Sequence, residues 1–187
     1  SFKLFIHGKL LYNFCRDKDF QKKLLLEELS MADKIGSEGV VIHQGKNVKD
    51  LNMNFEQAIN SFIEQVCSVL ESLSKFQSER VPLLILENSA HQGNEIGYNL
   101  DQLSYIWNNI PSHLRKYSGI CIDTCHAFAA GEIDFRDRNQ VIKWFNDFDN
   151  MIGIENLVLI HLNDSKVDFG CKKDRHELLF QGYVGEN

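Results

Sequence analysis

The sequence predicts an α/β fold built on a parallel sheet, and two patterns carry that expectation. Short, predominantly apolar runs recur along the chain, and longer amphipathic segments separate them. Runs without polar alternation suit strands covered on both faces, and strands alternating with helices call for parallel pairing. A third observation bears on function: a histidine, aspartate or glutamate follows directly after every run.

Residues 3–6 (KLFI) form the first run. Leu25, Leu29 and Ala32 mark a helix behind it, and Gly36 suits the left-handed turn that ends helices. Residues 39–42 (GVVI) are the second strand. Phe55, Ile59, Phe62, Val66, Val69 and Leu73 then recur at three- and four-residue steps, the clearest helical pattern in the chain. Residues 81–86 (VPLLIL) are the third strand, with Leu100, Leu103 and Trp107 marking its helix. Residues 119–122 (GICI) and 157–160 (LVLI) are the fourth and fifth strands, and Val141, Phe145 and Phe148 mark the helix between them. No linker, low-complexity tract or shift in composition interrupts the series, so residues 1–187 read as a single domain. A doubly wound sheet and a (β/α)8 barrel both fit these elements. A barrel needs eight repeats and about 250 residues, so this chain would be short at one or both ends.

Composition narrows the setting. Hydrophobic residues at 43% and charged residues at 25% are ordinary for a globular protein. No apolar run approaches the roughly 18 residues of a membrane span, and no signal-peptide pattern opens the chain. Neither a membrane partner nor secretion is expected. Five scattered cysteines with no CxxC pair read as reduced thiols, hence a cytoplasmic or nuclear location. Cys121-x3-Cys125 beside His126 has a spacing a thiolate metal site could use, yet a cysteine inside an apolar strand usually packs as a small hydrophobe. The formal net charge of -6 is the wrong sign for nucleic acid. Bound divalent cations would reverse that sign locally.

The residues that close the runs are His7, His43, Glu87, Asp123 and His161. Their spacing is about one βα unit each time, so successive parallel strands deliver metal-capable side chains to one edge of the sheet. In α/β folds that edge is where ligands bind. One such residue alone would read as a hydrogen-bonded strand end, but five at equivalent positions point to a shared pocket. Parallel strands lie about 4.8 Å apart, and carboxylates gathered so closely need a cation or a raised pKa. Three histidines with Asp and Glu suit zinc, and also manganese or iron. His126 follows Asp123 by three residues, and Asp174 and His176 form a D-x-H pair after the fifth strand. Eight candidate ligands exceed what one ion uses and point to two or three.

Four stretches then carry a resemblance. "ICIDTCHAFAAG" (120–131), "IHLNDSK" (160–166), "FGCKKDRHELLFQGYVG" (169–185) and "LILENSAHQGNEIGY" (84–98) closely resemble signature segments of the endonuclease IV family of apurinic/apyrimidinic endonucleases, in the same order along the whole chain. The resemblance implies a TIM (β/α)8-type barrel with a trinuclear zinc centre. Such enzymes cut DNA on the 5′ side of an abasic site, leaving 3′-OH and 5′-deoxyribose phosphate ends. Carried over motif by motif, His7, His43 and Glu87 would surround one zinc. Glu87 would bridge to a second zinc held by Asp123 and His161, and His126, Asp174 and His176 would hold the third. Glu87, Asp123 and His161 would form the catalytic set, and manganese is the other ion such donors accept. The implied partner is double-stranded DNA containing abasic sites, handled by a monomer. Arg175 inside the D-R-H motif, with Lys172, Lys173 and Lys166, would contact phosphates.

The chain departs from the family pattern in three places. Leu10 stands where a tyrosine is usual, and Gln44 replaces the proline of H-P-G. The sequence covers about five βα units, as the central part of such a barrel would. The family's first two strands and its last, with a final zinc-ligating glutamate, have no counterpart here, since Glu177 and Glu186 fall in the wrong places. Two other functions fit the same residues. A sugar isomerase or epimerase of this superfamily would use one or two manganese ions, and a non-catalytic remnant would bind metal or DNA alone.

Overall fold

The computed structural model describes residues 2–10, 12–16, 18–49 and 52–185, which leaves Glu186 outside the described residues. One parallel sheet contains β1 (Phe5–His7), β2 (Gly39–His43), β3 (Leu83–Glu87), β4 (Ser118–Asp123) and β5 (Leu157–His161), in the order β1-β2-β3-β4-β5. Spatial order equal to chain order means that every crossover moves the same way around. A doubly wound sheet reverses direction at its switch point; this sheet does not, so the winding is that of a TIM barrel. The crossovers are α1 (Asp19–Lys34), α2 (Phe55–Leu73), α3 (Leu100–Asn109) with the short α4 (Ser112–Arg115), and α5 (Thr124–Ala130) followed by α6 (Arg138–Met151). Beyond β5, β6 (Asp164–Ser165) pairs antiparallel with β7 (His176–Glu177). No described helix is long and apolar enough to cross a membrane.

Strand parity divides the core. Val40, Ile42, Leu84, Leu86, Ile120 and Ile122 point outward into the large cluster beneath the helices. Val41, Ile85 and Cys121 point to the opposite face, where they form a separate small cluster with Phe5, Leu83 and Leu159. Because side chains alternate with a period of two, the residue two beyond each of Phe5, Val41, Ile85, Cys121 and Leu159 shares that inner face. Those residues are His7, His43, Glu87, Asp123 and His161, each the last of its strand. The expectation that polar residues crown the strands therefore holds, and they are part of the ladder rather than beyond it.

Two expectations shift. The apolar runs at β1 and β5 are only partly buried, and Ile160 is 46% exposed. Both strands are edges of this sheet and touch one neighbour each, so an apolar run here does not mean burial on both faces. On α6 the buried residues are Trp144 and Phe148, with Val141 and Phe145 packed only partly against the core. The apolar stripe is rotated toward the indole, which has the most surface to cover.

The other helices follow their sequence signals. Asn54 accepts from the Gln57 backbone N–H while the Gln57 side chain accepts from Asn54 N–H, a capping box that starts α2. Gly36 adopts φ +71° just past α1, as its glycine predicts. Phe62 on α2 is fully buried in the large cluster. Replacing it with alanine removes apolar contact and leaves a cavity, so Phe62→Ala should cost about 3–5 kcal/mol, read as a lowered denaturation midpoint in urea. A loss under about 1 kcal/mol would show that this cluster does not hold the helix layer to the sheet.

Candidate metal centre

Glu87 lies at the middle of the crowned edge and is 1% exposed. Its two oxygens face different histidines. Oε2 lies 3.2 Å from His7 Nε2 and 3.4 Å from His43 Nε2. Oε1 lies 3.0 Å from His161 Nδ1 and 3.5 Å from His126 Nδ1. Burial alone would push the Glu87 carboxyl up; hydrogen bonds from His161, His43 and His7, with the charge of His126, override it and hold the group far below the usual carboxylate range.

Asp123 does two jobs. It is the N-cap of α5, with Oδ1 accepting the His126 backbone N–H at 2.9 Å. Its Oδ2 accepts from Asn163 Nδ2 at 2.5 Å and lies 3.9 Å from His161 Nδ1 and 3.7 Å from His176 Nε2. The D-x-x-H spacing is thus the spacing of a cap. It places His126 on the first turn of a short buried helix, because Asp123 starts the helix at once. Gly131 ends that helix at φ +85°.

A second cluster stands beside the first. His126 Nε2 lies 3.2 Å from Asp174 Oδ2 and 3.4 Å from His176 Nε2, and His176 Nε2 lies 3.1 Å from Asp174 Oδ1. The segment carrying Asp174 is docked on α5: Gly170 N–H and Lys172 N–H donate to the Phe128 and Ala129 carbonyls. Gln92 accepts the Asp174 backbone N–H at 3.1 Å. His176 is fixed separately, by β7 pairing with β6.

All eight candidate ligands therefore converge. Four groups of donor atoms lie within 4.8 Å: His7, Glu87 and His161; His43, Glu87 and His126; Asp123, Cys125 and His176; and His126, Asp174 and His176. The donor chemistry fits divalent cations. Imidazole nitrogens facing one another and a shared carboxylate are an arrangement that a cation between them relieves. Cys121 packs in the inner apolar cluster, as a strand cysteine should. Cys125 is also buried, and burial pushes its thiol up to about 12, with its sulfur 3.6 Å from the Arg175 carbonyl.

Several residues that set this geometry escape sequence reasoning. The Asn88 side chain clamps Asp123 at both peptide groups, accepting its N–H at 2.7 Å and donating to its carbonyl at 3.3 Å. The Asn88 carbonyl lies 2.9 Å from His126 Nδ1, so that nitrogen donates and Nε2 is directed toward Asp174. The His7 Nδ1–H likewise donates to the Gly8 carbonyl at 2.8 Å. Thr124 and Asn163 lock the ends of β4 and β5 together, with Thr124 Oγ1 donating to the Asn163 carbonyl at 2.6 Å. Neutral amides and hydroxyls carry no charge pattern; their only sequence signal is position next to a ligand.

The basic residues are less concentrated. Lys172 and Lys173 are exposed on the docked segment, Lys172 at φ +57°. Arg175 is exposed and donates to its neighbour's carbonyl at 2.6 Å. Lys166 pairs with Glu177 at 3.6 Å.

Residues 2–186 match the family model described as xylose isomerase-like TIM barrel. A protein named "Probable endonuclease 4" from Halothermothrix orenii is 36% identical over 99% of this chain and 64% of its own length. The crystal structure of endonuclease IV from Thermus thermophilus superposes with a TM-score of 0.78 at 26% identity, covering 98% of this chain and 61% of that one. A D-tagatose 3-epimerase-like protein superposes with a TM-score of 0.69 at 18% identity over 88% of this chain and 57% of that one, a likeness of fold. The chain spans about 60% of the length of the curated relatives it matches.

The ion-pair cluster gives the metal-free protein a pH signature. Burial alone would lower the His126 pKa, but the Asp174 hydrogen bond and the charges of Asp123 and Glu87 raise it from 6.5 to about 9. A pKa raised by folding adds stability in full below pH 6.5, and the gain disappears as pH climbs through about 9. His7 is raised as well and acts in the same direction. Protein kept in EDTA should therefore melt at progressively lower temperature across that window, and its affinity for divalent metal should rise there as His126 loses its proton. A melting temperature in EDTA that is flat or rising over the window would contradict the geometry.

Proposed function

We propose that the chain, which belongs to the xylose isomerase-like TIM barrel family and resembles in sequence proteins named endonuclease 4, is the metal-binding core of a DNA repair nuclease. The proposed reaction is hydrolysis of the phosphodiester bond 5′ to an abasic site, leaving 3′-OH and 5′-deoxyribose phosphate ends. One observation carries the reading: the cluster of His126, Asp174 and His176 stands beside the Glu87 cluster and adds a further set of donors. A sugar isomerase with one or two ions would leave that added set without a use.

In this reading three zinc ions occupy the centre. His7, His43 and Glu87 would hold one; Glu87, Asp123 and His161 would hold the second; His126, Asp174 and His176 would hold the third. Held there, zinc would supply Lewis acidity, lowering the pKa of water toward neutral and offsetting the charge of the phosphate. Glu87 is the shared ligand, and its burial keeps both oxygens committed. Asn88 and Asn163 orient Asp123, and the Asn88 carbonyl keeps the His126 ring turned toward Asp174. Asp123 and His161 serve beside Glu87 as the catalytic set. Arg175, Lys172 and Lys173 meet the DNA backbone, with Lys166 at the margin because Glu177 engages it. An abasic nucleotide costs little to extrude, since no base remains to be unstacked. The protein acts as a monomer in a reducing compartment.

The test is direct. Metal content by mass spectrometry should approach three zinc ions per molecule, and an abasic-site duplex should be cut to a 3′-OH end. EDTA should abolish cleavage. Glu87→Gln should lower it by more than about 100-fold while the far-UV circular dichroism spectrum stays folded. Zinc-loaded protein that leaves the duplex intact would support a binding remnant instead, and one manganese ion with sugar turnover would support the isomerase.

A further inference from the structure

We propose that Gln44 is a positioning residue for Glu87, and that the missing side chain at Gly97 is what admits it. The inference deepens the metal-centre reading and rests on it. Gln44 follows His43 directly and is fully buried. Its Nε2 donates to the main-chain carbonyl of Glu87 at 3.2 Å. The contact joins the end of β2 to the end of β3 through the peptide group of the shared carboxylate.

The surroundings are built around that amide. Gly97 has φ +72°, and a Cβ there would lie 2.0 Å from Gln44 Oε1 and 2.2 Å from its Cδ. No other residue could stand at position 97 without displacing the glutamine side chain. Above it the two loops are pinned together: Asn47 N–H donates to the Asn94 carbonyl, Ile96 N–H donates to the Gly45 carbonyl, and Lys46 and Glu95 form an antiparallel bridge. The loop after β3, which also supplies Asn88 and Gln92, is thereby registered against β2.

Stability does not account for the amide. Gln44 Oε1 is buried and has no hydrogen-bond partner among the described residues. An apolar side chain of equal length would remove that unpaired acceptor but leave the Glu87 carbonyl without this donor, so the two costs offset. What the amide contributes is a directional tie on Glu87, and a ligand held in its productive direction binds metal more tightly. A substitution of equal volume that removes only the donor separates the two roles. Gln44→Met exchanges one unpaired acceptor, Oε1, for another, the Glu87 carbonyl, so packing stability should change little.

The experiment is a cobalt(II) titration of the metal-free protein, followed by visible absorption, beside thermal melting in EDTA. Gln44→Met should weaken the ions that share Glu87 by about 10-fold or more, alter the cobalt absorption, and leave the EDTA melting temperature within a few degrees of wild type. Gln65→Met, at a buried glutamine on α2 whose Oε1 also lacks a partner among the described residues, should leave cobalt affinity unchanged. If Gln44→Met fails to fold, Gln44→Ala reads the same affinity without the demand for a long side chain. Cobalt affinity within twofold of wild type in either folded variant overturns the proposal. A wild-type protein that binds no cobalt overturns the metal-centre reading, and the proposal with it.

Discussion

A buried carboxylate is the constraint around which the rest is arranged. Glu87 sits at the end of a central strand where water hardly reaches it, and an ionised group there must be matched by positive charge or by donors on every side. The structure meets that demand with imidazoles from β1, β2, β5 and α5. Each of those elements is held at a distance set by the sheet, so the register of the strands and the position of the carboxylate are one problem. A residue slip in any strand would turn its ligand from the inner face to the helix face, leaving Glu87 short of a partner. Charge satisfaction thus reinforces the register that hydrophobic parity already favours.

The two clusters are held by different means. The strand-end ligands stand directly on ladder hydrogen bonds, with His43 level with Glu87 and Asp123 level with His161. The second cluster depends on a cap, a short helix and a docked segment. Asp164 shows what this requires: its buried carboxylate accepts backbone N–H groups from Ser165, Gly182, Val184 and Gly185. That fourfold tie anchors the chain after β7, just as Arg136 anchors Asp168 ahead of Asp174. Neither anchor touches the cluster, yet between them they fix the segment that delivers Asp174 and His176.

What the sequence discloses follows from the same division. The five strands were legible because burial writes itself as apolar runs, and the crowning ligands because they break those runs at matching points. Sheet edges were not legible: Ile160 looks like a buried strand residue, yet on the edge strand β5 it is exposed. The α5 helix was hidden because its residues, TCHAFAA, are too few to show a period and its start is a capping interaction between Asp123 and His126. The roles of Asn88, Asn163 and Gln44 were hidden for a different reason. An amide acts through direction, and direction exists only once two segments meet in space.

That difference also bears on how this chain can depart from the family pattern at a place so near the centre. A proline after His43 would fix the backbone and offer no side-chain donor. Glutamine leaves the backbone freer but reaches across to the Glu87 carbonyl. The two residues can serve one end by different routes: one stiffens the strand exit locally, the other ties it to the neighbouring strand. The second route needs room, and Gly97 supplies it at a backbone angle that only glycine adopts without strain. Gln44 and Gly97 are therefore a matched pair, and neither can be read correctly from sequence without the other.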